Sequence, residues 1–256
     1  KRNAPQPLTS KNFFFGRAKS SSSPAAKSGL PATTASRCAA ASGSTMPRTR
    51  SAEQKPFAPH VPNVNMHRVF AYLLKTRGLD ADVVSYFARK KMLYEDAAHH
   101  NAVFIGTDES GCPRHAHLRS TNSFGKSFRL NVESSDPRYS FHYNGTDGSL
   151  YVFEAPIDML SFITLYPENW QRHSYVACCG TSIQPVLQML EQVPQLDTIL
   201  LCLDNDEAGH QASRRMREQL DARYSVERLI PENKDWNDDL TLSGGNAQGF
   251  AMNEMR

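Results

Sequence analysis

Between residues 149 and 231, four short apolar runs alternate with segments of helical spacing, and this alternation limits what the chain can fold into. Leu150-Tyr-Val-Phe, Ser174-Tyr-Val-Ala-Cys-Cys, Thr198-Ile-Leu-Leu-Cys-Leu and Val226-Glu-Arg-Leu-Ile read as strands. Near-continuous apolar runs are the pattern of strands covered on both faces. Pro156 to about Leu165, Ile183 to Glu191 and Ala208 to Arg223 read as the intervening helices. The predicted class is α/β, with a four-stranded parallel sheet flanked by helices and joined by right-handed crossovers.

The third run ends in Asp204-Asn-Asp206-Glu-Ala-Gly209. Residues two apart in an extended segment point the same way, and ligands of open α/β sheets bind beyond the carboxyl ends of the strands. Two carboxylates aimed at one point repel unless a cation lies between them, and hard oxygen ligands suit Mg²⁺ or Mn²⁺. A calcium loop is disfavoured, because its fifth and twelfth positions would be Ala208 and Arg215. A helix N-cap is a real alternative for an Asp before Glu207-Ala-Gly-His-Gln. These ten residues do not separate cap from metal ligand.

The other strand ends shift the balance. The first run ends at Glu154, in Val-Phe-Glu154-Ala-Pro-Ile-Asp158, and the fourth is followed by Lys234-Asp235-Trp-Asn237-Asp238-Asp239. Acids recurring on one sheet edge would also arise from capping alone. Glu154 breaks that reading, since Glu is a poor N-cap and Pro156 suits the first helical position. Glu154 is therefore read as a ligand or base.

Upstream, Met66 to Arg77 has helical spacing up to Gly78, and a second helix starts with Asp80 or Asp82 as cap. Asn101–Asp108 and Arg114–Arg119 read as a hairpin around Glu109-Ser-Gly-Cys-Pro, with β character continuing through Phe128–Val132 and Tyr139–Tyr143. Residues 1–60 carry ten Lys/Arg and one acid, a net of +9 within an overall +3, so the remainder is mildly acidic and overall charge does not argue for nucleic acid. This tail is rich in Ser, Ala, Pro and Thr and is expected to be disordered. The expected organisation is a tail over 1–60, a small α+β subdomain over 61–146, the parallel sheet over 147–240 and a flexible tail over 241–256.

Phe13-Phe-Phe15 is too short for a signal peptide or membrane helix, so no membrane partner is expected. An Arg- and Ser-rich, acid-poor start also has the composition of an organelle transit peptide, a minor reading. The chain opens on Lys rather than Met, as a fragment would, with Met46 as a candidate internal start. Cys38, Cys112, Cys178, Cys179 and Cys202 form no C-x-x-C pair; reduced thiols in a cytoplasmic protein are expected, and no cysteine zinc site.

Glu154 at the end of strand one, Gly180 after strand two and Asp204-Asn-Asp206 at the end of strand three resemble the Toprim domain. That domain is shared by bacterial primases, topoisomerases and some nucleases. Glu154-Ala-Pro-Ile-Asp158 is similar to the primase Glu-Gly-Tyr-Met-Asp signature, and Asp204-Asn-Asp206 to its Asp-Gly-Asp. Lys234-Asp235-Trp-Asn237-Asp238 resembles the later Asp-Pro-Asp-Glu element. Phe104-Ile-Gly-Thr-Asp108-Glu-Ser-Gly111, Arg119 and Asn131-Val-Glu-Ser-Ser resemble the subdomain preceding Toprim in primases. Residues 60–240 look like a family of Toprim proteins of plasmids and conjugative elements, whose preceding domain has no assigned function.

The resemblance implies catalytic Glu154, Asp204 and Asp206, holding Mg²⁺ or Mn²⁺, with Asp158 and Asp235 serving a second cation. It implies nucleotidyl transfer on DNA in the replication or transfer of a mobile element. Partners would be DNA, mainly single-stranded, nucleotides, and replication or conjugation proteins. Toprim-type nicking and a non-catalytic DNA- or partner-binding role are the alternatives. Asn237 stands where primases have an Asp, and the Ser/Ala/Pro tail stands where they carry a zinc-binding module, which puts autonomous priming in question. Arg114, Arg119, Lys126, Arg129, Arg138 and Lys234 are candidates for phosphate contacts; a solvated face is the alternative for each. Phe128, Tyr139 and Phe141 read as core rather than base-stacking platforms.

His115-Ala-His117 has the His-apolar-His form of metal-dependent nicking enzymes, with Tyr139 or Tyr143 as nucleophile, but lacks that family's surrounding pattern. His99-His100 reads as a solvated turn and Gly244-Gly245-Asn246 as a loop. No P-loop, Gly-x-Ser-x-Gly elbow or dinucleotide fingerprint is present.

Overall fold

A computed structural model of the chain describes residues 55–122 and 127–243. Two sheets organise them. The first is antiparallel, in the order β1 (Leu93–Glu95), β2 (Ala102–Thr107), β3 (Pro113–Arg119), β4 (Arg129–Asn131). The expected hairpin is β2–β3, with Phe104 opposite His117 and Gly106 opposite His115. Gly106 has no alternative, since a Cβ there would lie 1.7 Å from the Tyr139 carbonyl oxygen.

Two helical segments pack beside this sheet. Helix α1 (His67–Ala71) runs into a π turn, Tyr72–Thr76, and the chain reverses at Gly78, whose φ of +68° favours glycine. Asp80 caps α2 (Ala81–Arg89), its side chain accepting from the Asp82 and Val83 N–H groups. Buried Glu95 accepts from the Arg68 and Val69 N–H groups and so satisfies the open end of α1. His99 lies exposed in a turn as expected, whereas His100 is half-buried, its Nδ1 2.6 Å from Glu95 Oε1. A carboxylate buried in this way draws any nearby partner to it.

The second sheet has the order β5-β7-β6-β8-β9, with β5 (His142–Tyr143), β6 (Ser149–Phe153), β7 (Ser174–Ala177), β8 (Thr198–Leu201) and β9 (Ser225–Arg228). The four predicted strands are mutually parallel, and β5 adds an antiparallel edge beside β7 that the four-stranded expectation did not include. The β character read over Tyr139–Tyr143 includes this strand, but its pairing with β7 is a tertiary contact that the local pattern does not specify.

Helices α3 (Pro156–Leu165), α4 (Gln184–Gln192) and α5 (Glu207–Leu220) connect the strands. Successive residues of β6 point to opposite faces. Phe153 joins a core with α2 and α3, whereas Leu150 and Val152 join a second core with α4 and α5. The chain steps from β6 outward to β7, then back across to β8. The order therefore reverses between β6 and β8, and a crevice opens beyond their carboxyl ends. Residues 236–243 form a further helix, α6, for which the sequence pattern predicts no element and which extends into the expected flexible tail over 241–256.

Phe141 lies in the core as expected, but Phe128 is 41% exposed and Tyr139 only half-buried. Phe128 directly precedes β4, an exposed edge strand with no second layer to bury it, and Tyr139 ends a short 3-10 turn, Pro137–Tyr139. Cys178 and Cys202 are buried free thiols, Cys179 is half-buried and Cys112 exposed. Lys126, Cys38, Met46, Phe13–Phe15, residues 1–54 of the basic tail and Gly244-Gly245-Asn246 lie outside the described residues. The end of that tail is ordered: the Lys55 and His60 carbonyls accept from Ser134 Oγ and the Tyr94 hydroxyl, and Phe57 packs against the first sheet.

Candidate cation and phosphate site

The crevice between β6 and β8 gathers the strand-end acids. Glu154 directly follows β6, and its carbonyl accepts from the Gly180 N–H at 3.1 Å, which ties it to the turn after β7. Asp204 follows β8. Its carbonyl accepts from Arg228 Nη2 at 3.0 Å, and the preceding Cys202 carbonyl accepts from Trp236 Nε1 at 2.8 Å. Asp158 lies buried in the first turn of α3.

Asp206 is the N-cap of α5, with Oδ1 accepting from the Gly209 N–H at 2.9 Å. The capping reading was therefore correct for one oxygen of one of the two aspartates. Gly209 touches the same turn: a Cβ on it would lie 2.1 Å from the Asp204 carbonyl oxygen. Asp235 caps α6, its Oδ1 accepting from the Asp238 N–H. Asn205 N–H donates to the Lys234 carbonyl at 2.8 Å, which joins the β8 and β9 loops. Asp239 accepts from the Glu232 and Asn233 N–H groups and closes the loop that presents Lys234 and Asp235.

A cavity of about 230 Å³ opens among these groups. Asp158, Asp204, Asp206 and Asp235 line its acidic side, while Arg77, Arg119, Arg129, Lys234 and His117 supply basic groups. An adjoining cavity of about 210 Å³ holds Glu154 and shares Arg129 and His117. Arg129 stands between the two, its Nη2 3.3 Å from Glu154 Oε1. Asn237 is buried, donating to the Arg77 carbonyl and to Ser161 Oγ and accepting from Arg77 Nη1. Its amide binds the two sheets' elements together, a role that an ionised Asp could not fill, having no N–H to donate.

The electrostatics follow from crowding. Burial pushes the Asp204 carboxyl up to about 7, reinforced by Glu154, Asp235 and Asp206. Burial, then Asp204 and Asp235, raise Asp158 well above the carboxylate range. Glu154 is also raised by burial, with Arg129 opposing. Asp204 Oδ1 is buried without a hydrogen-bond partner, an arrangement that costs free energy unless a ligand supplies the contact. Among the described residues no three of His, Cys, Asp and Glu stand close enough together to hold a metal ion as placed. Glu154 is turned to Arg129 and Asp206 to Gly209. The donor chemistry, all carboxylate oxygen with one orphaned acceptor, nevertheless fits a hard divalent cation.

Of the basic candidates, Arg119, Arg129 and Lys234 line the cavity. Arg114 and Arg138 do not: each is paired locally, with Asp108 and Asp136 at 2.7 Å. His115 and His117 are buried, and burial lowers His115 to about 4. His117 Nδ1 lies 2.7 Å from Asn131 Oδ1, and neither Tyr139 nor Tyr143 lines the crevice. Arg77 and Arg228 were missed in the sequence. Arg77 ends a helix and Arg228 alternates out of a strand, and neither position carries a local signal.

Residues 151–240 match the family model described as Toprim-like, and residues 71–147 match a protein family of unknown function, DUF3991. The chain thus carries a Toprim-like domain preceded by a DUF3991 segment, on a primase-like fold. An uncharacterized pXO2 protein of Bacillus anthracis is 26% identical over 153 residues, 56% of this chain and 44% of its own. The chain spans less than half of that relative. The primase fragment of the bacteriophage T7 primase-helicase superposes with a TM-score of 0.52 at 20% identity, covering 70% of this chain and 72% of that one. A T7 primase domain, from a structure of the phage lagging-strand DNA polymerase with primase domains bound to an RNA/DNA hybrid and dTTP, gives 0.52 at 20% identity, over 70% and 88%. Among the described residues no helix is long and apolar enough to cross a membrane.

Proposed function

We propose that the chain is a primase-like nucleotidyl transferase acting on single-stranded DNA with Mg²⁺ or Mn²⁺, in the replication or transfer of a mobile element. The supporting observation is the crevice itself: acids from the ends of β6 and β8 face Arg77, Arg119 and Arg129 from the other half of the fold. Asp204, Asp206 and Glu154 are the proposed catalytic ligands, with Asp158 and Asp235 beside them for a second cation. A divalent cation held there supplies stabilisation of charge developing on a phosphoryl oxygen. Arg119, Arg129 and Lys234 hold the phosphates of template and nucleotide through charge-assisted hydrogen bonds. Release of Arg129 from Glu154 frees both groups for those tasks. Asp206 keeps its capping bond throughout and uses its second oxygen.

The test is one assay of the purified chain with single-stranded DNA, labelled nucleotides and Mg²⁺ or Mn²⁺, scoring extension and cleavage side by side. Extension that disappears in Asp204→Asn and Asp206→Asn is the expected result. Asn preserves the α5 cap, so the loss reports chemistry rather than folding. Cleavage without extension would assign nicking, and DNA binding that survives chelation with neither product would assign a binding module.

A further inference from the structure

On the sheet face away from the aromatic core, α5 and the edge strand β9 border a third cavity, an open groove of about 260 Å³. His210, Ser213, Arg214, Arg217, Arg228 and Leu201 line it, and no carboxylate does. His210, Arg214 and Arg217 recur at i, i+4 and i+7 and so share one face of α5. Arg228 reaches up from β9. Its Nη1 donates to the Gly209 carbonyl at 2.8 Å and to Ser213 Oγ, and its Nη2 to the Asp204 carbonyl.

The charge of this face is poorly balanced. Among the described residues Arg214 has one ion pair, an exposed contact with Glu207 at 3.5 Å, and Arg217 and Arg228 have none. Arg228 Nε is buried without a partner. Burial first, and then the neighbouring Arg214, depress the guanidinium below its ordinary range. In a merely solvated arginine face each guanidinium nitrogen would reach water, whereas Arg228 is half-buried in the floor of the groove and its Nε is out of contact with solvent.

We propose that this groove is a second phosphate-binding site, separate from the carboxylate crevice. Arginine forks match phosphate oxygens in geometry and charge, and a bound oxyanion would separate Arg214 electrostatically from Arg228. From His210 to Arg217 the helix rises about 10 Å, enough to follow an extended strand rather than a single ion. Arg228 holds the carbonyls of Asp204 and Gly209 from beneath, so the groove begins where the carboxylate edge ends. The phosphates it takes are those of a nucleic-acid strand leaving that edge. The site does not require the carboxylates to be catalytic.

The experiment measures binding of the full chain to a labelled single-stranded DNA across a range of salt concentrations. Arg214→Ala with Arg217→Ala is expected to weaken binding about tenfold and to make the log–log salt slope shallower by about 1.4, the release of two counterion-equivalents. Arg214→Lys with Arg217→Lys keeps the charge and should retain most of the slope. It also separates lost contacts from lost fold, which circular dichroism checks for each variant. A parallel arm follows the stabilisation of the chain by pyrophosphate. Loss of that stabilisation with an unchanged DNA slope would assign the groove to a nucleotide's phosphates. No change in either arm, in a folded Ala variant, would overturn the proposal. Asp204→Asn should leave the salt slope as it is while removing extension, so the two readings fail separately.

Discussion

Asp204 concentrates the electrostatic cost of the crevice. Its carboxyl titrates near 7 in the folded chain against 3.8 for an unperturbed Asp. Between those values the folded state holds more proton than the unfolded state, so this group's contribution to stability falls as pH rises from about 4 to about 7. Asp204→Asn removes the dependence. Without divalent cation, the melting temperature of the Asn variant should draw away from that of the parent as pH rises through this window and stay level above it. The gap at neutral pH should be several degrees: the rise from 3.8 to about 7 corresponds to at most about 4 kcal/mol, and solvent screening at the open crevice reduces it. Scanning calorimetry of both proteins from pH 4 to 8 would show it, and parallel curves would mean that Asp204 is not destabilised by its neighbours. Mg²⁺ should close the gap, because a ligand that binds only the folded state stabilises it.

At the scale of elements, the turn from β8 to α5 is held from several directions. Asp206 caps the helix, Arg228 grips two carbonyls, Trp236 bonds the strand end, and Gly209 lies against the Asp204 backbone. Gly209→Ala forces a methyl into that carbonyl, and the turn must move. We expect a loss of about 1–3 kcal/mol in denaturant unfolding together with loss of extension. An unchanged midpoint would show that the turn yields freely. Much of this architecture was legible beforehand. Strands buried on both faces announce themselves as apolar runs, and acids at their ends stand out because nothing else explains Glu154 beside Pro156. What escaped notice was set by tertiary contacts. Strand β5 lies in a stretch read as β but its place beside β7 was not, α6 begins in a string of polar residues, and Phe128 is exposed because the edge strand next to it has no covering layer. The pairing of His100 with Glu95 joins residues whose partnership depends on burial, and no sequence pattern encodes it.

At the scale of the whole molecule, the crevice is composite. The acids come from the parallel sheet and its loops, whereas Arg77, Arg119 and Arg129 come from the segment before it. Asn237 and Arg77 lock the two through a pair of hydrogen bonds, so neither half holds the full set of groups alone. The two tryptophans of the chain both belong to the parallel-sheet half but sit in different surroundings. Trp170 stacks among Tyr86, Phe87 and Tyr143, where α2 meets the parallel sheet. Trp236 donates to the strand end that carries Asp204 and follows Asp235 directly. With Trp170→Phe, emission from the single remaining indole should change on adding Mg²⁺ and should stop responding once Asp204→Asn is added. With Trp236→Phe, the light from Trp170 should ignore Mg²⁺ and follow unfolding alone. The hydrogen bond from Trp236 to Cys202 thus gives the protein an intrinsic optical probe of its carboxylate edge, read without any label and apart from the integrity of the rest of the fold.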